Sequence, residues 1–232
     1  GASTAIKLAS KGWNVTITCS SSEKEAIEVS EECKSLGGET LVIKSDVSEE
    51  KNCKDVVDQT IKKWGRLDAL INNAGTTEFN AHENLPGLTS EDFLRLYSVN
   101  TVGPYMMLKE AQSHLLESSN PSVVNVGSIA GVTGIGSSIA YASSKGALLN
   151  MTKSLARALG PIRVNAICPG IILTEMGKNN LGSEKEIEHW SNVAALKRLG
   201  DPKDIIGPTV FFASELSDFV TGQSINVCGG IY

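Results

Sequence analysis

Trp13-Asn14-Val15-Thr16-Ile17-Thr18 is a short β-branched run, and behind it Ser21 or Ser22 opens a charged helical stretch that reaches Leu36 and stops at Gly37-Gly38. Branched side chains suit a pleated surface, and a serine before the helix with a glycine pair after it is helix punctuation. The same strand-then-helix unit repeats outward along the chain. Leu41-Val42-Ile43 is the next strand. Ser48 is the expected N-cap of the helix that follows, with Glu49 and Glu50 in its first turn, where the helix dipole favours carboxylates. Leu67–Asn72, Ser122–Val126, Ile162–Ile167 and Ser224–Val227 read as further strands. A long helix over roughly Ser90–Glu117, bent at Gly103-Pro104, and helices over Tyr141–Leu159 and Pro202–Ala213 lie between them. Apolar strands alternating with helices predict an α/β fold: one Rossmann-like domain over residues 1–232, a doubly wound parallel sheet with helices on both faces. Such a sheet offers ligands the carboxyl ends of its strands.

The chain opens directly as a helix at Ser3-Thr4-Ala5-Ile6-Lys7-Leu8-Ala9. A dinucleotide fold needs a strand and a glycine-rich turn ahead of that helix, so roughly 15–20 further residues are expected to precede Gly1. This expectation also leaves a targeting peptide open.

Composition narrows the function classes. The chain has 232 residues, is 41% hydrophobic and 20% charged, and carries a net charge of -5, which suits one well-buried domain rather than a disordered chain. An acidic balance with no basic run argues against nucleic acid, whose phosphates call for clustered Lys and Arg. No apolar stretch reaches the ~18 residues that span a bilayer. Cys19, Cys33, Cys53, Cys168 and Cys228 are odd in number and form no C-x-x-C, which fits free thiols in a reducing, cytoplasmic setting. His82, His114 and His189 lie far apart and share no metal-ligand spacing with a cysteine, so no metal is expected and all three read as ordinary surface or boundary residues.

The chemistry-bearing stretch is Tyr141-Ala142-Ser143-Ser144-Lys145. A four-residue step puts Tyr141 and Lys145 on one helix face. A phenol titrates near 10, and an ammonium close by would stabilise its phenolate; a shift of about 3 units corresponds to roughly 4 kcal/mol. By itself this pair is a weak signal, because any exposed helix can carry it. Ser128, just past the strand Val123-Val124-Asn125-Val126, sits where a hydroxyl can donate to a substrate carbonyl. Gly127-Ser128-Ile129-Ala130-Gly131 is not the hydrolase elbow, because its serine stands one place too early and no histidine lies in a partner segment.

With these residues in place, the chain resembles the short-chain dehydrogenase/reductase family, with 3-oxoacyl-carrier-protein reductases among its likenesses. Asn72-Asn73-Ala74-Gly75 matches its N-N-A-G motif, and Asn100 in Ser98-Val99-Asn100 its active-site asparagine. Ser128, Tyr141 and Lys145 match its other catalytic positions. Pro169-Gly170 followed by Thr174 matches its P-G-x-x-x-T segment, and Thr221-Gly222-Gln223 with Gly229-Gly230 its C-terminus. The resemblance implies that Tyr141 gives a proton to a carbonyl oxygen held by Ser128 as hydride arrives from a nicotinamide. Lys145 would hold the nicotinamide ribose and lower the pKa of Tyr141, and Asn100 would hold a water. Asn73, Ala74 and Gly75 would pass the adenosine ribose and phosphates, Asp46 and Val47 would meet the adenine, and Pro169, Gly170, Ile172 and Thr174 would line the nicotinamide side. Two departures stand out. The glycine-rich loop is missing except for Gly1, taken as its last glycine, and the common Asp before the final glycine pair is Cys228. Gly131-Val132-Thr133-Gly134-Ile135-Gly136 mimics a phosphate loop, but its place between Ser128 and Tyr141 makes it the active-site turn.

Cys19-Ser20-Ser21-Ser22 puts no acid at the end of the first strand, where one would bind ribose hydroxyls and repel a 2′-phosphate. Ser20 and Ser21 at a helix N-terminus can accept a phosphate, so NADP is the expected cofactor, with NAD possible. Met176–Lys197 is the expected substrate lid, with Leu181, Ile187 and Trp190 as its apolar residues. The expected partners are a small carbonyl or alcohol substrate and, from the resemblance, copies of the chain in a homotetramer joined through the long helices. Two other readings stay open: an inactive nucleotide-binding relative with a regulatory role, and an NAD-dependent sugar or alcohol dehydrogenase of the same fold.

Overall fold

The structure, a computed structural model, describes residues 1–174, 177 and 181–231. Its order is α1 (Ala2–Ala9), β1 (Val15–Cys19), α2 (Glu23–Ser35), β2 (Thr40–Lys44), α3 (Glu50–Trp64), β3 (Ala69–Asn72), α4 (Ser90–Tyr97), α5 (Gly103–Leu115), β4 (Ser122–Val126), α6 (Ala130–Thr133), α7 (Ile139–Ala158), β5 (Arg163–Pro169), α8 (Glu184–Val193), α9 (Ile206–Ala213) and β6 (Ser224–Val227). Every strand pairing is parallel, β1 with β2 and then β3-β4-β5-β6 in sequence order.

Alternation along the strands supplies both faces. Val123 and Val164 join Val56, Val57, Met107, Leu108 and Leu115 on one side, under α3 and α5. Val124 and Ile167 point the other way, onto Phe212 and Ala213 of α9. Leu149 of α7 packs with Ala166 and Cys168. The strands therefore need apolar residues at consecutive positions, which is why their sequences are nearly continuous hydrophobic runs.

β1 and β3 each have a strand neighbour on one side only among the described residues. Between them opens a cavity of about 770 Å³ lined by Ala5, Leu8, Val15, Ile17, Leu70 and Asn72.

Several local expectations change. Ser48 does not cap α3: its amide and hydroxyl both donate to Asp46 Oδ1, at 2.9 and 2.7 Å, and the cap position falls to Glu49. The long helix is interrupted by a π-helical turn at Ser98–Val102, just ahead of Gly103-Pro104. Pro104 has no N–H, so the carbonyl four residues earlier, that of Asn100, loses its helical donor there. The helix expected from Tyr141 begins at Ile139, because Ser138 Oγ accepts the Tyr141 amide at 3.2 Å and caps it. Pro202–Ile205 is a 3-10 turn locked by reciprocal Asp201 and Asp204 bonds, and the α-helix starts only at Ile206.

Candidate active site

A parallel sheet aims all its strands one way, so the residues following β1, β2, β3, β4, β5 and β6 collect along one edge. Ser20 and Ser21, Asp46 and Val47, Asn73 to Gly75, Ser128, Pro169 to Thr174 and Cys228 all stand in these exits. Helix α7 then crosses beside the exit of β4 and carries Tyr141 and Lys145 to it.

Lys145 is almost fully buried, and its Nζ donates to the Val126 carbonyl at 2.9 Å. It stands 5.9 Å from the centre of the Tyr141 ring. Burial lowers its pKa to about 8. Tyr141 shows the opposite balance: burial pushes the phenol up, and a hydrogen bond from the Ser128 side chain pulls it down. The amine is engaged with a backbone carbonyl, and desolvation disfavours both charged forms. Ser128 is held in turn by the Ala130 amide, which donates to its Oγ at 3.1 Å. Burial pushes the nearby Cys168 thiol up to about 11, so it stays protonated beside Lys145.

Asn100 sits in the π-helical turn and is fully buried. Its Oδ1 accepts the Thr76 amide at 2.9 Å, and its Nδ2 donates to Thr76 O at 2.9 Å and to Ser144 Oγ at 3.0 Å. The side chain thus clamps the end of the Asn72–Gly75 segment to α7. A Cβ on Gly75 would lie 3.3 Å from both Asn100 Oδ1 and Lys145 Nζ, so only glycine leaves the space beside the amine open. Gly131 is as tightly placed: a Cβ there would stand 2.6–2.8 Å from the backbone of Lys145 and Gly146.

The remaining candidates are less directly joined. Asn73 Oδ1 accepts from the Gly1 backbone nitrogen at 2.9 Å, and Asn73, Ala74 and Gly75 are open to solvent. Pro169 O accepts the Ile129 amide at 2.9 Å, tying the β5 exit to the Ser128 loop. A Cβ on Gly170 would come within 2.8 Å of Cys228, which explains glycine there. Ile172 and Thr174 bond within their own loop, whose Ile171 and Leu173 bond to Gly200, and among the described residues none of their hydrogen bonds reaches Tyr141 or Lys145. Ser20 and Ser21 are exposed ahead of α2, and Asp46, whose pKa the Ser48 hydrogen bonds lower, serves its own turn. Met176, where the expected lid begins, lies outside the described residues; α8 carries Ile187 and Trp190. Among the described residues no three His, Cys, Asp or Glu side chains gather as metal ligands.

Sequence reasoning missed the supports. Ser138, Ser144 and Thr76 hold Tyr141 and Asn100 in place. His82, read as an ordinary surface or boundary residue, reaches the Gly136 carbonyl at 3.1 Å. Only Ser138 had a readable signal, a serine three residues ahead of Tyr141.

The family described as enoyl-(acyl carrier protein) reductase matches residues 1–232. The chain is 33% identical over 235 residues to an L-rhamnose 1-dehydrogenase (NAD(P)(+)) of Sphingomonas sp. (strain SKA58), covering 100% of this chain and 91% of that protein. It is 30% identical over 234 residues to a 3-oxoacyl-[acyl-carrier-protein] reductase of Staphylococcus epidermidis, covering 100% and 94%. A crystal structure of NAD+-bound xylitol dehydrogenase superposes with a TM-score of 0.91 at 30% identity, covering 99% of this chain and 94% of that one.

Proposed function

The chain belongs to the short-chain dehydrogenase/reductase family, and from that membership we propose that it is an NADP(H)-dependent enzyme interconverting a carbonyl and a secondary alcohol. The family makes it an oxidoreductase of the nicotinamide type acting on a small molecule. The observation that supports the finer reading most is Tyr141 and the buried Lys145 one helical turn apart on α7, with Lys145 Nζ bonded to the Val126 carbonyl at the β4 exit that leads to Ser128.

The residues fit a nicotinamide nucleotide. Among the described residues Lys145 Nζ makes one hydrogen bond, which leaves donors for ribose hydroxyls, and Gly75 keeps side chains out of the space beside it. When bound, the nicotinamide supplies or accepts the hydride. Ser128 holds the substrate oxygen. Tyr141 gives that oxygen a proton in reduction and takes it back in oxidation. Lys145, charged, holds the ribose and stabilises the phenolate of Tyr141. Asn100 fixes Thr76, and with it Gly75, against α7. Gly1, Asn73, Ala74 and Gly75 border the phosphates and adenosine ribose, Asp46 and Val47 the adenine, and Pro169, Gly170, Ile172 and Thr174 the nicotinamide amide.

The NADP reading rests on the absence of an acid at Cys19–Ser22 and on exposed Ser20 and Ser21. Glu23 and Glu25 in the next turn limit how strong the preference can be. The test is NADPH and NADH oxidation with 3-oxoacyl thioesters, simple ketones, sugars and 2-enoyl thioesters. Carbonyl turnover with NADPH is expected. A tenfold or greater preference for NADH reverses the cofactor assignment, and turnover confined to the enoyl thioester reverses the reaction.

A pH dependence follows from Lys145. The free amine titrates at about 8, and the proposed complex needs it charged. Affinity for NADPH is therefore expected to be flat below pH 8 and to weaken above it, by at most about tenfold per unit. Fluorescence titration checks this, and Lys145→Met should erase the break. A break that persists in the variant assigns it to another group.

The proposal includes a cytoplasmic homotetramer. The five cysteines are unpaired, as a reducing compartment requires. Leu94, Val102, Tyr105 and Leu116 leave exposed apolar side chains along the long helices. Sedimentation as a monomer would remove the tetramer.

A further inference from the structure

The segment Thr76–Asn84 forms neither helix nor strand, yet it is bonded across the site at both ends. At one end the Thr76 amide and carbonyl make the two-way clamp with Asn100. At the other, the Asn80 amide donates to Ser137 O at 2.9 Å, Thr77 Oγ1 is hydrogen-bonded to Ser137 Oγ, and His82 Nε2 meets Gly136 O at 3.1 Å. Between them Asn80 Nδ2 donates to Asn84 O at 2.7 Å and Asn84 Nδ2 to Asn80 Oδ1 at 2.9 Å, while Glu78 pairs with Arg95 of α4. The segment is therefore a braced strap.

What it grips is the turn ahead of Tyr141. Gly134 has a positive φ of 77°, and Gly136 has no side chain of its own to anchor it. A Cβ on Gly136 would stand 3.5 Å from Tyr141 Cδ1, so this turn runs beside the phenol ring. Ser138, the next residue but one, caps the helix that carries Tyr141. Among the described residues, the hydrogen bonds that reach Gly134–Ser137 from distant parts of the chain all come from this strap.

We propose that the strap is a latch that sets the position of Tyr141, with His82 as a positioning residue acting through the Gly136 carbonyl. It deepens the proposed function and rests on it for its kinetic consequence. To bond a carbonyl, His82 must carry its proton on Nε2. Glutamine places an amide nitrogen the same number of bonds from Cα and donates without titrating, so it can stand in for the imidazole.

The experiment compares wild type, His82→Ala and His82→Gln by amide hydrogen exchange of 134–141, by kcat and KM at saturating cofactor, and by cofactor Kd. In His82→Ala, exchange of 134–141 should rise, and kcat should fall, each by about five- to tenfold, the scale of one lost hydrogen bond, with cofactor Kd within about twofold. His82→Gln should bring both back to within about threefold of wild type. Unchanged exchange in the alanine variant, exchange rising throughout the sheet, faster exchange with unchanged kcat, or no recovery in the glutamine variant each overturns the proposal. A wild type with no carbonyl turnover refutes the proposed reaction instead, and the exchange data then still decide whether the latch exists.

Discussion

A Tyr141→Phe enzyme is expected to turn over about a thousandfold more slowly, the middle of the range for losing a general acid, while its cofactor Kd stays within about twofold of wild type. The reason is chemical and local. The substitution removes one oxygen from a half-buried ring whose backbone is fixed independently, by the Ser138 cap and by Ser144 Oγ, which donates to the Tyr141 carbonyl at 2.8 Å. Helix α7 and the buried Lys145 should not move. Ser128 loses its partner but keeps the Ala130 amide. Hydride then has a carbonyl to attack but no group placed to protonate the oxygen. Steady-state kinetics with fluorescence titration of the cofactor separates the two effects. Turnover within tenfold of wild type would remove Tyr141 from the chemistry, and lost cofactor binding would make it a structural residue.

The second large effect concerns stability. Arg163 opens β5, is nearly inaccessible, and no carboxylate is among its hydrogen-bond partners. Its guanidinium donates to Phe212 O at 2.9 Å and Ser214 O at 3.3 Å, to Asn120 Oδ1 at 2.7 Å and to Ser217 Oγ. It thus adds a charged donor to the Phe212 carbonyl in the last turn of α9 and to that of Ser214, which also accepts the Ser217 amide at 3.2 Å, and it holds that end against the sheet. Arg163→Ala would leave these acceptors buried and open a void, at a cost of about 3 kcal/mol or more. For a chain of this size that corresponds to a fall in Tm of roughly 6–12 °C. Arg163→Lys should recover only part of the loss, because one ammonium cannot reproduce a planar fork reaching four oxygens. A thermal shift under about 2 °C in the alanine variant would show that water or a small rearrangement replaces the arginine.

The two residues also mark a division in what could be read ahead of the structure. Tyr141, Lys145 and Ser128 were legible because their chemistry depends on short spacings and on order along the chain: a helical step of four, and a hydroxyl just after a strand. Arg163 carried no signal. Its partners lie 43 to 54 residues away, and nothing in its neighbours tells that it will be buried. His82 is the same case, since its contact is 54 residues distant.

By itself the sequence determined the alternation of strands and helices, the parallel sheet that this alternation requires, and the line of polar residues at the strand exits. These follow from periodicity, branching and glycine placement, all of which act over a few residues. Tertiary structure alone decided how those exits are joined: Asn100 bonded to Thr76 and Ser144, Lys145 turned to the Val126 carbonyl with its pKa drawn down, and the turn before Tyr141 strapped by a distant loop. The physical reason is that burial and long-range hydrogen bonds are properties of a place in space. Which groups share that place, and which of them lose water there, is settled only when the chain closes on itself.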